Sequence, residues 1–107
     1  MRNLFVTKIF LKDLEREYVS YTSKQNCKKL KEELACILGR LLFDVQLEVH
    51  HKDHKLSGDW NGFKDCHVFS DLVLIYRKFD KSDNNKNYGD NALVLARIGS
   101  HSELRLK

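Results

Sequence analysis

After a short apolar run at Leu4-Phe5-Val6 the hydrophobic period is helical to residue 41 and strand-like beyond the polar segment that follows, and that change decides the class of fold open to the chain. Before it, Cys27, Leu30, Leu34, Ile37, Leu38 and Leu41 trace one face of a helix, with Lys28, Lys29, Lys31, Glu32 and Glu33 facing outward. An earlier stripe, Leu11, Leu14, Tyr18 and Tyr21, falls at i, i+3, i+7 and i+10. After it, Asp65-Cys66-His67-Val68 leads into Leu72-Val73-Leu74-Ile75-Tyr76-Arg77-Lys78-Phe79. The 72–79 run is rich in β-branched and aromatic residues and reads as a strand, and Ala92-Leu93-Val94-Leu95-Ala96-Arg97-Ile98 reads as the returning strand. Leu4-Phe5-Val6 reads as a short first strand. The expectation is an α+β fold: a short strand, then two N-terminal helices packed on a small antiparallel sheet built as a meander.

Local chemistry sets the boundaries. Thr7 is placed to cap the first helix and Ser23 the second, while Gly39 either ends the second helix or sits in its last turn. The chain has no proline, so its turns rest on Gly, Asn and Asp. Residues 80–91 are almost wholly polar and long for a hairpin turn, which predicts a mobile loop. At 107 residues, with 42% hydrophobic and 32% charged, the chain is expected to form one domain spanning 1–107 around a modest core.

No stretch approaches the roughly 20 apolar residues of a membrane span, and the N-terminus turns charged too early for a signal peptide. A cytoplasmic protein is expected, with no membrane partner. Cys27, Cys36 and Cys66 form no CxxC pair and are expected as free thiols, each a small core residue. The net charge of +4 favours an anionic partner.

All five histidines lie from residue 50 onward, after the helical stripes: His50, His51 and His54 in one polar segment, His67 beside a strand, His101 after the last one. A meander could bring His67, Asp71, Arg97 and His101 to one end of the sheet. Cutting RNA without a metal requires removing a proton from a 2′-hydroxyl and protonating the departing 5′-oxygen. It also requires stabilising extra negative charge on phosphorus. Histidine titrates near working pH and suits both proton transfers, and a guanidinium matches two phosphate oxygens and keeps its charge. Arg97 with His54, His67 and His101 offers that set, and Lys52, Lys55, Lys64, Arg77 and Lys78 would attract the backbone. A metal reading of His50 and His54, four apart, lacks the apolar period of the helix that would align them, and the glutamate of HExxH is absent. No metal and no cofactor is expected.

The segment HHKDHKLSGDWNGFKDCHVFSDLVLIYRKFD, followed by LVLARIGSHSEL, resembles the RelE/YafQ family, the toxins of bacterial toxin–antitoxin pairs that cut messenger RNA on the ribosome. The linked signatures are KDHKL, G-x-W-x-G-[FY]-[KR]-D-x-H-V, a D-x-x-L-I-Y strand and R-x-G-[ST]-H. The resemblance is strongest over residues 51–80 and 93–104. It implies a fold similar to the microbial ribonucleases and an endoribonuclease that needs no metal. It makes His54, His67 and His101 catalytic, Asp71 the acidic site residue, and Arg97 the holder of the scissile phosphate. It also implies a cognate antitoxin, messenger RNA and the ribosome as partners, and operator DNA reached through the toxin–antitoxin complex.

Two positions depart from the YafQ branch: Leu72 stands where a tryptophan is usual, and Leu104-Arg105 where an aromatic residue is usual. Both aromatics could stack on a base, and Arg105 could stack in their place through its guanidinium. These departures leave open a family member that is catalytically weak or inactive and acts through antitoxin binding and operon repression. A zinc-binding module built on the HHKDH cluster is a third reading.

Overall fold

A computed structural model describes residues 1–20 and 24–104, the side chains of 24 and 25 excepted. The chain runs β1 (Asn3–Val6), α1 (Lys8–Ser20), α2 (Lys24–Leu42), β2 (His54–Lys55), β3 (Lys64–Phe69), β4 (Leu72–Asp80), β5 (Asn91–Gly99) and α3 (His101–Leu104). The strands form one sheet in the order β1-β5-β4-β3-β2. The meander from β2 to β5 is antiparallel, as expected, but β1 lies parallel to β5, pairing Asn3–Val6 with 92–95, so the sheet is mixed. Two parallel neighbours need a crossover, and here both helices and three strands intervene.

The α2 stripe forms as the sequence predicts. Leu30, Leu34, Ile37 and Leu41 are buried against Leu72, Leu74, Tyr76, Leu93 and Leu95, and Gly39 sits in the last helical turn. On α1 the buried face is shifted by one residue: Phe10 and Asp13 are buried, Leu14 and Tyr18 partly so, and Leu11 is exposed. Thr7 caps α1, accepting the Phe10 N–H at 2.9 Å, and its hydroxyl donates to the Ala96 carbonyl at 2.7 Å. Tyr21 and Ser23 lie outside the described residues. Of the cysteines only Cys66 is fully buried; Cys27 is half-buried and Cys36 is exposed, because it falls on the solvent side of the α2 stripe.

Alternation along β4 sends Leu72, Leu74 and Tyr76 toward the helices, and Val73 and Ile75 to the opposite face. On β5 the alternation breaks. The register jumps from Ile75↔Arg97 to Tyr76↔Leu95, a bulge that leaves Ala96 as the extra residue. Leu93, Leu95 and Ile98 therefore face the helices, while Ala96 stays on the far side and Arg97 with it. That face is roofed by residues 56–63, with Leu56, Trp60 and Phe63 packed on Val73, Ile75, Ala96 and Leu104. Gly62 allows the roof to turn: its φ is +92°, and a Cβ there would meet Arg77 Nη1 at 2.9 Å.

The 80–91 segment carries structure of its own. Asp80 and Asp83 form a capping box around a short 3₁₀ turn, Asn85 accepts the amides of Asn87 and Tyr88, and Tyr88 packs on Phe5 and Phe79. Among the described residues no helix is long and apolar enough to cross a membrane.

Candidate active site

Strand register aligns the chemistry. His54 pairs with Asp65, Asp65 with Ile75, and Ile75 with Arg97, one row across four strands on the roofed face. Paired residues of an antiparallel ladder project to the same side. The next row holds His67, Val73 and Gly99. Immediately beyond it Ser100 caps α3, accepting the Glu103 amide while Glu103 accepts its own, so His101 opens the helix. The rings of His67 and His101 lie 5.1 Å apart between centroids.

Asp65 is the centre of the arrangement and is absent from the sequence-derived candidates. It is 1% exposed. Burial pushes its carboxyl pKa up, more than the charges of His54, His67 and His101 draw it down. His54 Nδ1 lies 2.8 Å from both Asp65 Oδ1 and the Lys52 carbonyl. A carbonyl only accepts, so the proton is on Nδ1. It is aligned with Lys52, which leaves Asp65 Oδ1 close but without a properly directed hydrogen bond. With the proton on Nδ1, the lone pair of the neutral ring is on His54 Nε2. His67 has its pKa lowered, first by burial and then by the charge of His101.

Arg97 and His54 line a single cavity of about 910 Å³, together with Lys55, Trp60 and Glu103. The guanidinium is partly engaged, since Nε and Nη2 donate to Asp13 Oδ2 and Oδ1, each at 2.9 Å. Asp13 is 3% exposed in its side chain. Its burial raises the carboxyl pKa, but the hydrogen bonds from Arg97 and the Ile98 amide and the charges of Arg97 and Arg16 outweigh it, and the net shift is down. The Asp13 pair raises Arg97 further. The Nη1 edge takes no part in this pair.

Other expected site residues lie elsewhere. Asp71 sits exposed in the β3–β4 turn, within the charge field of Glu17, and among the described residues makes no hydrogen bond or ion pair with a histidine. Lys64 and Lys78 project to the helix side of the sheet, paired at 2.7 Å with Asp53 and Asp44. They line a separate cavity of about 360 Å³. The cause is strand alternation, which sends them to the face opposite Arg97. The Arg77 guanidinium lies over the Phe79 ring, 4.4 Å from its centroid. Leu72 is buried under the helices, so that position cannot stack on a base. Arg105 lies outside the described residues. Lys52, at φ +48°, turns the chain so that His51 enters the core while His54 reaches the rim.

A five-stranded mixed sheet with helices packed on one face, and three imidazoles around a buried carboxylate on the same face as a guanidinium, defines a small α+β protein with a polar candidate site. The chain belongs to the YafQ family of bacterial toxins of type II toxin–antitoxin systems, whose family model matches residues 2–106. It is 36% identical over 72 residues to the putative toxin YafQ of Haemophilus influenzae, a match spanning 67% of this chain and 61% of that protein. To the mRNA interferase toxin YafQ of Escherichia coli K12 it is 34% identical over 76 residues, 71% and 68% of the two chains. Among solved structures it is similar to a copper-bound mutant toxin from Helicobacter pylori (TM-score 0.75, 29% identity, 97% and 99% of the chains covered). It is also similar to YafQ in the Escherichia coli DinJ–YafQ complex (TM-score 0.70, 26% identity, 97% and 98% covered).

Proposed function

We propose that this chain is a single-domain, cytoplasmic toxin that cuts messenger RNA as a metal-independent endoribonuclease, positioned on its substrate by the ribosome. The observation that carries this reading is the convergence of His54, His67 and His101 around buried Asp65, on the same sheet face as Arg97.

The roles follow from chemistry. His67, held neutral more readily than an ordinary histidine, takes the proton of the 2′-hydroxyl. The hydroxyl oxygen attacks phosphorus, the bond to the 5′-oxygen breaks, and an imidazolium returns a proton to that oxygen. His101 stands beside His67 and His54 at the cavity rim, and the two divide that protonation and the stabilisation of charge. Arg97 turns its uncommitted edge toward the phosphate, while Asp65 positions the imidazoles. Lys55, Lys52 and Arg77 supply attraction to the strand.

Two named relatives are mRNA interferases, and one YafQ is solved with DinJ. These support an antitoxin partner for this chain; repression of operator DNA through the joint complex is the further step of the proposal. A second reading, a weak or inactive family member, is favoured by one observation: Asp13 already holds two donors of Arg97.

Expression of wild type, His67→Gln, His101→Gln and Arg97→Ala, with mapping of message ends, separates the readings. The proposed enzyme gives new ends in wild type only, and cleavage on ribosomes survives a chelator. No ends in any culture, or activity lost in chelator and restored by zinc, would overturn it.

A further inference from the structure

His51 is a fully buried histidine that the proposed chemistry does not use. Its Nε2 lies 2.6 Å from Glu33 Oε1, and His50 Nε2 lies 3.4 Å from the same oxygen. The three donor atoms, from two separate elements, all lie within 4.8 Å of one another. We propose that Glu33, His50 and His51 form a binding site for a divalent ion of the zinc, nickel and copper group, clamping α2 to the turn that leads into His54.

Four features support it. Two imidazoles and one carboxylate are the donor set these ions take in sites that keep an open position. Ligand bonds near 2.0–2.2 Å put donors about 3.3 Å apart in a tetrahedron. The His50–Glu33 spacing already matches this, and the His51–Glu33 spacing needs to open by under an ångström as the metal replaces the shared proton. His50 Nδ1 lies 3.4 Å from Glu48 Oε2, the outer carboxylate that commonly fixes a ligating imidazole and leaves Nε2 for the metal. The remaining position opens on a cavity of about 330 Å³ bordered by Glu33, His50, Lys52 and His67.

Specificity follows from charge. With one carboxylate and with Lys52 on the rim, the site offers too little negative charge for magnesium or calcium, which need several oxygen ligands. Glu33 stands on α2, 17 residues before His50, so no spacing motif announces the set. The site is separate from the His54–Asp65–His67–His101 group, and its role is mechanical, because His51 is three residues from His54.

The test removes the competing imidazoles first. In a His67→Gln/His101→Gln background, zinc, nickel and copper chlorides are titrated one at a time by calorimetry after chelator treatment. Zinc is expected to bind one equivalent. His50→Gln added to this background should weaken binding at least tenfold; His50 is exposed, so folding is retained and checked by circular dichroism. Zinc at about a hundred times its dissociation constant multiplies the folding equilibrium about a hundredfold, so the melting temperature should rise in the background protein and rise clearly less in the His50→Gln variant, whose equilibrium gains about tenfold or less. Magnesium should give neither signal. No zinc uptake by the background, or uptake that His50→Gln leaves unchanged, overturns the site.

Discussion

At Asp65 the fold holds a carboxylate where burial disfavours its charge, although three imidazoles stand nearby to draw that charge out. A group whose folded pKa is raised favours folding while it is protonated. That contribution is fully present below the unfolded pKa, about 3.9, and lost as pH rises through the folded value. Asp65→Asn is therefore expected to raise the melting temperature at pH 7, with the gain shrinking toward zero below about pH 4. If Asp65 positions the histidines, the same variant loses cleavage. Thermal melts at several pH values check the first, and message-end mapping the second. His67 offers a companion measurement. Its pKa is lowered by burial and then by the charge of His101. In His101→Gln, the His67 ring, followed by NMR, is expected to titrate at higher pH than in wild type. An unchanged titration would show that the 5.1 Å approach of the rings carries no electrostatic coupling.

At the scale of elements, the junction of α1 with β5 joins fold and site. β1 pairs with β5 only as far as Leu95, and beyond it α1 takes over the exposed edge. Thr7 donates to the Ala96 carbonyl, and Asp13 accepts the Ile98 amide while gripping Arg97. Asp13→Ala leaves a buried amide without a partner and frees a guanidinium, with an expected loss of about 2–3 kcal/mol of stability. Asp13→Asn, which keeps the acceptor for Ile98, should lose less. Because the Asp13 pKa is lowered in the folded state, its contribution is present above the unfolded carboxylate value and lost as pH falls through the folded one. The wild-type advantage over Asp13→Asn in urea melts should thus fade below about pH 4.

This junction also marks where the sequence stops being legible. Periodicity placed α2 and the long strands because their apolar residues follow one unbroken geometric rule. The same rule chose Leu11 over Phe10, since α1 is apolar at both positions and only the docked sheet decides between them. The bulge at Ala96 has no signature in a run of small and aliphatic residues, so the face of Arg97 could not be read from alternation. Asp65 was hidden for another reason: a carboxylate inside a strand looks solvent-facing until its neighbours cover it. The histidines are legible as a proton-transfer set that a meander can gather, with their roles implied by the resemblance, whereas the charge of Lys64 and Lys78 says nothing of the face on which they stand.

Across the whole molecule, a net charge of +4 overstates what an RNA strand would meet on the roofed face. Arg2 is spent on Asp44 and Asp80, Arg16 on Asp13 and Glu103, Lys64 on Asp53, and Lys78 on Asp44. These pairs stitch the termini, helices and strand ends together, so much of the basic charge serves the fold. Lys55 is different: it borders the large cavity with His54 and Arg97, and no acid holds it among the described residues. Each phosphate contact with a single strand contributes a slope of about −0.7 to the dependence of log affinity on log salt. Binding to single-stranded RNA methylated at its 2′-hydroxyls, which cannot be cut, measures this slope without turnover. Lys55→Ala is expected to flatten it by about 0.7, while Lys64→Ala and Lys78→Ala leave it as in wild type. Equal flattening by all three would mean that RNA wraps both faces of the sheet and that the face carrying His54 and Arg97 is not the one the strand selects.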